Sequence, residues 1–234
     1  MILSKEYFVR INDLDLNDHM NIEAILSFFQ DAASLHAENL GIGYLPLKEK
    51  NSYWVLTKTR LTKIADPKAY DQIKVNTWPL EKGKVNFLRE YEIYDSNDDL
   101  IVKGESQWCL IDATTRKIVR ADIINYPGEC LSKTVYEDKL LSIKPMKENL
   151  VLKHQVMLSE IDHNMHMNNT KYGKLIYDCL TIEEVKNFKD CSLQYLHEAR
   201  LDDIIDVYKI VTDKNIYITG AVLDTPCFTA LVVI

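Results

Sequence analysis

The sequence predicts an α+β protein made of two copies of one unit, each a helix wrapped by an antiparallel meander of strands. Three observations lead there. Asp15-Leu-Asn17-Asp-His19-Met20-Asn21 recurs 147 residues later as Asp162-His-Asn164-Met-His166-Met167-Asn168, identical at five of seven positions. Each copy of this DxNxHMN motif is followed by apolar residues at helical spacing. Each helical stretch is then followed by β-branched and aromatic runs that alternate and are joined by short polar turns. Two copies are too few for a solenoid, and a unit of roughly 110–120 residues is a common domain size.

The elements follow in chain order. A short extended run comes first in each copy, Tyr7–Ile11 and Leu152–Leu158. After the first motif, Ile25, Phe28, Phe29, Ala32, Ala33, Leu35 and His36 fall at spacings of three and four. This predicts a helix over about 22–39, with Asn21 as its N-cap, Glu23 in its first turn and Gly41 just past its end. After the second motif, Asn168 or Asn169 is expected to cap a helix carrying Tyr172, Leu175, Ile176, Cys179 and Leu180. Strands are predicted at Tyr53–Ile64, Gln72–Trp78, Val85–Tyr94, Leu100–Asp112 and Lys117–Val119. In the second copy they are Ser192–Arg200, Asp203–Val211, Ile216–Leu223 and Cys227–Val233. Residues 121–149, punctuated by Pro127 and Pro145, show no clear period. The division is therefore an N-terminal unit over 1–130, a linker over 131–149 and a C-terminal unit over 150–234.

Composition narrows the function. The 234 residues are 47% hydrophobic and 27% charged, close to the average for a soluble globular chain. Gly and Pro number only 7 and 6, about half of average usage, and no phosphate-cradling glycine loop is present. The nearest candidate, Gly41-Ile-Gly43-Tyr-Leu-Pro46, lacks its third glycine. The net charge of −7 is spread evenly over both halves, with no basic stripe, so nucleic acid is not an expected partner. The five cysteines, Cys109, Cys130, Cys179, Cys191 and Cys227, form no CxxC and read as reduced buried thiols. MILSKEYFVRIND has no apolar core of a signal peptide and no run approaches a membrane span, so the expected compartment is the cytoplasm, without membrane association.

The motif carries the candidate chemistry. Asp162, Asn164 and His166 stand at i, i+2 and i+4, which in an extended segment puts all three on one face, with His163, Met165 and Met167 opposite. The free N–H groups of the following helix favour negative charge beside them. A carboxylate, an amide and an imidazole there can polarise a carbonyl and stabilise an oxyanion. The competing account is local, since Asp and Asn gather at helix starts to cap them. Asp162, His163 and His166 could also bind a metal, but His163 faces away in an extended segment and the glycine and distal Glu of a calcium loop are missing. No metal and no cofactor are expected.

Asp162-His-Asn-Met-His-Met-Asn-Asn169, followed by Lys171-Tyr172, resembles the signature of the acyl-acyl carrier protein (acyl-ACP) thioesterases of plants and bacteria. Leu193-Gln-Tyr-Leu-His-Glu198-Ala199 resembles the strand that supplies that family's acidic residue. Tyr53-Trp-Val-Leu56, Asp71–Pro79, Arg89-Glu-Tyr91 and Gln107-Trp108 through Arg120 resemble its N-terminal half. The resemblance implies a tandem double hotdog, each half a long helix wrapped by an antiparallel sheet, with an N-terminal unit shaping an acyl tunnel and a catalytic C-terminal unit. It implies hydrolysis of fatty acyl-ACP to free fatty acid and ACP in fatty acid biosynthesis, with ACP as partner and a monomeric or homodimeric state. Carried over, the catalytic residues are Asp162, Asn164, His166 and Glu198. Glu198 acts with His166 to activate water, Asn164 and helix N–H groups hold the thioester oxygen, and Asp162 orients Asn164. Plant members carry Cys after this Glu. Here the position is Ala199, so direct water attack is expected instead of a thiolate route.

No Glu stands in the first copy where Glu198 would have its counterpart, so Asp15, Asn17 and His19 are expected to keep a capping role. Carrier docking would need a local basic patch, for which Arg116, Lys117 and Arg120, Lys144, Lys147 and Lys153, and Lys171 and Lys174 are candidates. An acyl-CoA thioesterase, a non-catalytic acyl-binding protein and a hydratase or dehydratase are the alternatives on such a scaffold.

Overall fold

In the computed structural model, residues 1–120, 123, 124, 126 and 130–234 are described; Pro127 lies outside them. The elements are β1 (Leu3–Phe8), α1 (Ile22–Asn39), α2 (Tyr44–Glu49), β2 (Ser52–Lys63), β3 (Gln72–Pro79), β4 (Phe87–Tyr94), β5 (Leu100–Asp112), β6 (Ile118–Val119), β7 (Leu150–Gln155), α3 (Lys171–Asp178), α4 (Ile182–Lys186), β8 (Asp190–Tyr195), β9 (Ile204–Thr212), β10 (Asn215–Val222) and β11 (Thr225–Val233). The strands form one sheet in the order β1-β3-β4-β5-β2-β8-β11-β10-β9-β7, with β6 on β5. The order from β1 to β2 repeats from β7 to β8 in mirror sequence, so the duplication folds as two half-sheets. They meet antiparallel at β2 and β8, where Thr59 faces Leu193 and Leu61 faces Cys191. The main core runs through both halves, from Phe29, Tyr91 and Ile93 to Tyr172, Leu175 and Phe228. This is the double hotdog.

The first helix forms as its pattern requires. The Asn21 side chain accepts from the Ala24 amide at 2.8 Å, and Ile22, Ile25, Phe28, Phe29, Ala32 and Ala33 face the sheet. Gly104 on β5 lets Phe29 lie against the strand, since a Cβ there would stand 2.3 Å from the ring. Phe29 in turn stacks on Tyr91 at 4.3 Å.

Three expectations need correction. The opening strands end earlier, at Phe8 and Gln155, because a carboxylate three residues on captures the next amides. The Arg10 amide donates to Asp13 at 2.8 Å and the Met157 amide to Glu160 at 2.9 Å, turning both chains into a single 3-10 turn. The second helix is short, not long. Thr170, not Asn168 or Asn169, precedes it, while the Asn168 side chain accepts from the Thr170 amide. It stops because Thr181 and Glu184 form a reciprocal capping box that starts α4. The strand expected over Ser192–Arg200 ends at Tyr195.

The segment after residue 130 straps the outer face of the sheet. Trp78 Nε1 donates to the Lys133 carbonyl, the Val135 amide to Glu90, the Ile143 amide to Gln194 and the Met146 amide to Thr219, all at 2.9–3.0 Å. Among the described residues no helix is long and apolar enough to cross a membrane.

Candidate active site

The second motif is a tight turn, not an extended segment. The Asp162 amide donates to the His166 carbonyl at 2.9 Å, the Met165 amide donates to the Asp162 carbonyl at 3.1 Å, and Met165 has a φ of +66°. Asp162 Oδ1 accepts from the Asn164 amide at 2.8 Å and the His166 amide at 3.4 Å. The carboxylate thus satisfies the N–H groups that the turn leaves unpaired, which is why the chain closes instead of extending. The first motif does the same, with Asp15 Oδ1 accepting from Asn17 and His19 at 2.7 and 3.0 Å.

The turn still brings the expected trio together. Asp162, Asn164 and His166 line one cleft with Glu198, Tyr53 and Trp54, with an open volume of about 580 Å³. His163, expected to face away, joins Asp162 and Asn164 on a second, larger cleft and packs edge-on against Tyr44 at 4.6 Å. That cleft has an open volume of about 1090 Å³ and extends between α1 and the inner face of β2, β4 and β5. Tyr53, Trp54, Asn164 and Asn169 border both clefts, so the two adjoin at Asn164.

Glu198 stands in the loop after β8, three residues past Tyr195, and not on a strand. Its Oε2 lies 2.9 Å from His166 Nε2. The same oxygen accepts from Arg116, which comes from the β5–β6 turn of the other half. Burial holds the His166 imidazole below its ordinary value, Arg116 and Arg200 press the same way, and Glu198 and Asp162 oppose them. His166 is therefore a neutral base at neutral pH, beside an exposed carboxylate. Ala199 is fully buried and its carbonyl accepts from the Met167 amide at 2.9 Å, tying the acid loop to the motif turn.

The chain matches the acyl-ACP thioesterase N-terminal domain over residues 2–125 and the C-terminal domain of the same family over 143–225. The chain belongs to the acyl-ACP thioesterase family. An acyl-[acyl-carrier-protein] hydrolase of Cuphea viscosissima is 23% identical over 219 residues, covering 86% of this chain and 53% of that protein. A palmitoyl-acyl carrier protein thioesterase of Arabidopsis thaliana is 24% identical over 245 residues, covering 97% and 59%. The chain thus spans about half the length of these curated relatives. The fold matches an acyl-ACP thioesterase from Bacteroides thetaiotaomicron with a TM-score of 0.90 at 21% identity, over 99% of this chain and 97% of that one. It also matches a 12:0-ACP thioesterase from Umbellularia californica with a TM-score of 0.85 at 16% identity, over 99% and 96%.

Cys109, Cys179, Cys191 and Cys227 are buried free thiols, and burial raises them, to about 11 for Cys179 and about 12 for Cys227. None has the depressed pKa of a nucleophilic cysteine.

One residue was missed from sequence. Asp66 lies beside His19, its Oδ2 at 3.9 Å from His19 Nε2, and it accepts from the Met20 amide at 2.9 Å. It stands three residues past β2, as Glu198 stands three past β8. The insertion that forms α2 and lengthens β2 breaks the constant offset, and counting from strand ends would have found it. Lys63 neutralises Asp66 at 2.9 Å, and the adjoining cavity has an open volume of only about 220 Å³. Several basic docking candidates are engaged by carboxylates: Lys147 by Asp224, Lys153 by Asp206, Lys171 by Glu23 and Lys174 by Asp178.

Proposed function

We propose that this chain hydrolyses fatty acyl-ACP thioesters to free fatty acid and ACP, within fatty acid biosynthesis, by direct attack of water. The observation that carries this reading is the His166–Glu198 pair at 2.9 Å, in the smaller cleft that adjoins the larger one at Asn164. Glu198 and His166 take the proton of a water as its oxygen attacks the thioester carbon. The Asn164 side-chain amide receives the developing oxyanion, and the proton passes to the departing carrier thiolate. Asp162 acts through the turn it staples, fixing where Asn164 and His166 stand. The raised cysteine thiols favour water over a covalent thiolate.

The N-terminal half, over 1–130, supplies the larger cleft to the acyl chain. The C-terminal half, over 150–234, supplies the catalytic set, with 131–149 as the strap between them. Four buried free thiols, Cys109, Cys179, Cys191 and Cys227, suit a reducing compartment such as the cytoplasm.

The test is a hydrolysis screen of the purified chain against acyl-ACPs of graded length, with the matching acyl-CoAs alongside. Thiol release from acyl-ACP, faster than from acyl-CoA, is expected. No release from any acyl-ACP overturns the reading, and equal or faster release from acyl-CoA overturns the carrier assignment.

A further inference from the structure

By charge alone Arg116 is a docking candidate, yet its guanidinium turns to the acid of the other half. The turn that carries it, between β5 and β6, is stapled. Asp112 accepts from the Thr114 and Thr115 amides at 3.0 and 2.6 Å and from the Thr115 hydroxyl at 2.9 Å. The Arg116 amide donates to the Asp112 carbonyl at 2.9 Å, and the Ala113 amide to the Asn51 carbonyl at 2.8 Å, just before β2. Arg116 itself holds a φ of +58°, the left-handed region that suits glycine and is uncommon for a long side chain. From there the guanidinium lies over the Tyr53 ring, 5.8 Å from its centroid, and donates to Glu198 Oε2.

Glu198 needs such a partner. The backbone of its loop is tied down on both sides. The Leu196 and His197 amides donate to the Cys227 carbonyl at 2.8 and 3.2 Å, and the Met167 amide donates to the Ala199 carbonyl at 2.9 Å. None of these bonds reaches the Glu198 side chain, which Arg116 and His166 both touch at Oε2. The other oxygen, Oε1, enters neither contact and is the one that can accept from a water. In the first copy the cation on the acid is Lys63, from the same strand as the acid's loop, and Asp66 stands 3.9 Å from His19. In the second copy the cation comes from the other half, and the acid stands 2.9 Å from His166.

We infer that Arg116 is a positioning residue for the reaction, holding the Glu198 carboxylate against His166 from across the two halves. This rests on the thioesterase reading. It makes the N-terminal half a supplier of the catalytic geometry as well as of the larger cleft, and it takes Arg116 out of the docking set. A charge-assisted hydrogen bond from a guanidinium to a carboxylate is among the stronger polar contacts and fixes direction as well as distance. A reacting group displaced by about 1 Å can lose about a hundredfold in rate.

The experiment compares the wild type with Arg116→Met and Arg116→Lys on one acyl-ACP. The Arg116 side chain is 46% exposed, so both variants should unfold near the wild-type temperature. Arg116→Met should lower kcat by about 10–10² with KM within about threefold, and Arg116→Lys, which keeps the charge without the planar fork, should recover part of the rate. In a Glu198→Gln background, Arg116→Met should cost less than about threefold, because it acts through Glu198. A proton NMR titration of His166 needs no turnover, and its sign is decisive. His166 faces Glu198 and Asp162, which raise it, and Arg116 and Arg200, which lower it, with Glu198 outweighing Arg116; His197 and Tyr53 line the same cleft. If Arg116 holds Glu198 in place, Arg116→Met frees the carboxylate and His166 should titrate lower, as in Glu198→Gln. An unchanged or increased kcat, a loss confined to KM, equal losses in both backgrounds, or a His166 titration that stays or rises overturns the inference and leaves the thioesterase reading standing. A wild type that hydrolyses no acyl-ACP defeats the thioesterase reading, and the titration then decides for or against the hold of Arg116 on Glu198.

Discussion

Replacing Glu198 by Gln keeps the shape of the acid loop and removes one charge beside His166. At 2.9 Å, the Coulomb attraction between the carboxylate and a protonated imidazole is about 1.4 kcal/mol at a dielectric of about 80 and about 6 kcal/mol at about 20. The side chains of His166 and Glu198 are 14% and 32% exposed, so the pair lies between these limits. Arg116 on the same Glu198 oxygen offsets part of the attraction and draws the value toward the lower limit. Loss of a positioned base independently costs about 10²–10⁴ in rate. Glu198→Gln should therefore lower turnover of acyl-ACP by at least about a hundredfold, with unfolding temperature near wild type. His166, having lost its favourable neighbour, should titrate at lower pH than in the wild type. Thiol release measures the first effect and a proton NMR titration of the imidazole measures the second. A folded Glu198→Gln protein with wild-type turnover and an unmoved His166 titration would refute the pairing as the source of catalysis.

The remaining expectations are these. Asn164→Ala should cut turnover by about 10²–10³ with little change in stability, because its side chain borders both clefts while the turn is held by Asp162; near-normal rates would remove it from the oxyanion site. His19→Ala should leave turnover within a few-fold of wild type, because Lys63 already occupies Asp66; a loss as large as that of His166→Ala would show a second working site. Glu105 and Glu90 face each other across β4 and β5, buried under the strap, and burial pushes each up to about 7. The native state therefore holds a proton on Glu105 that the unfolded chain releases above about 4.5. The stability from that bound proton is full below about 4.5 and is lost as pH rises through about 7. Glu105→Gln should match wild type in thermal denaturation at pH 4 and exceed it by about 1–3 kcal/mol at pH 8; an equal difference at both pH values would contradict this.

Much of the fold was legible because it is written twice. The first helix, with Asn21 as cap and its apolar face at spacings of three and four, lies where the pattern puts it. The meander strands of both halves fall close to the β-branched runs. Several misses share one cause, side chains capturing backbone amides at short range. Asp13 and Glu160 end the opening strands early, Asp162 closes its motif into a turn, and Thr181 with Glu184 cuts the second helix short. Residues of these types suit caps, turns and exposed strand positions alike, so their local pairing is invisible until the backbone is placed. The motif residues of the site were legible as a cluster, and Glu198 through resemblance alone. Asp66 was not, because the insertion before β2 shifts the register of the repeat.

By itself the sequence determined the duplication, the α+β class and the residue types at the motif, since these depend on periodicity and composition along the chain. Only the tertiary structure decided that the two halves share one sheet and one core, and that Glu198 reaches His166 across a loop. It also decided that Arg116 from the other half shares that carboxylate, and that Arg89 lies buried in the larger cleft. Each of these joins residues tens of positions apart, and such distances are set by strand pairing at the β2–β8 seam and by packing around α1, not by any local preference of the chain.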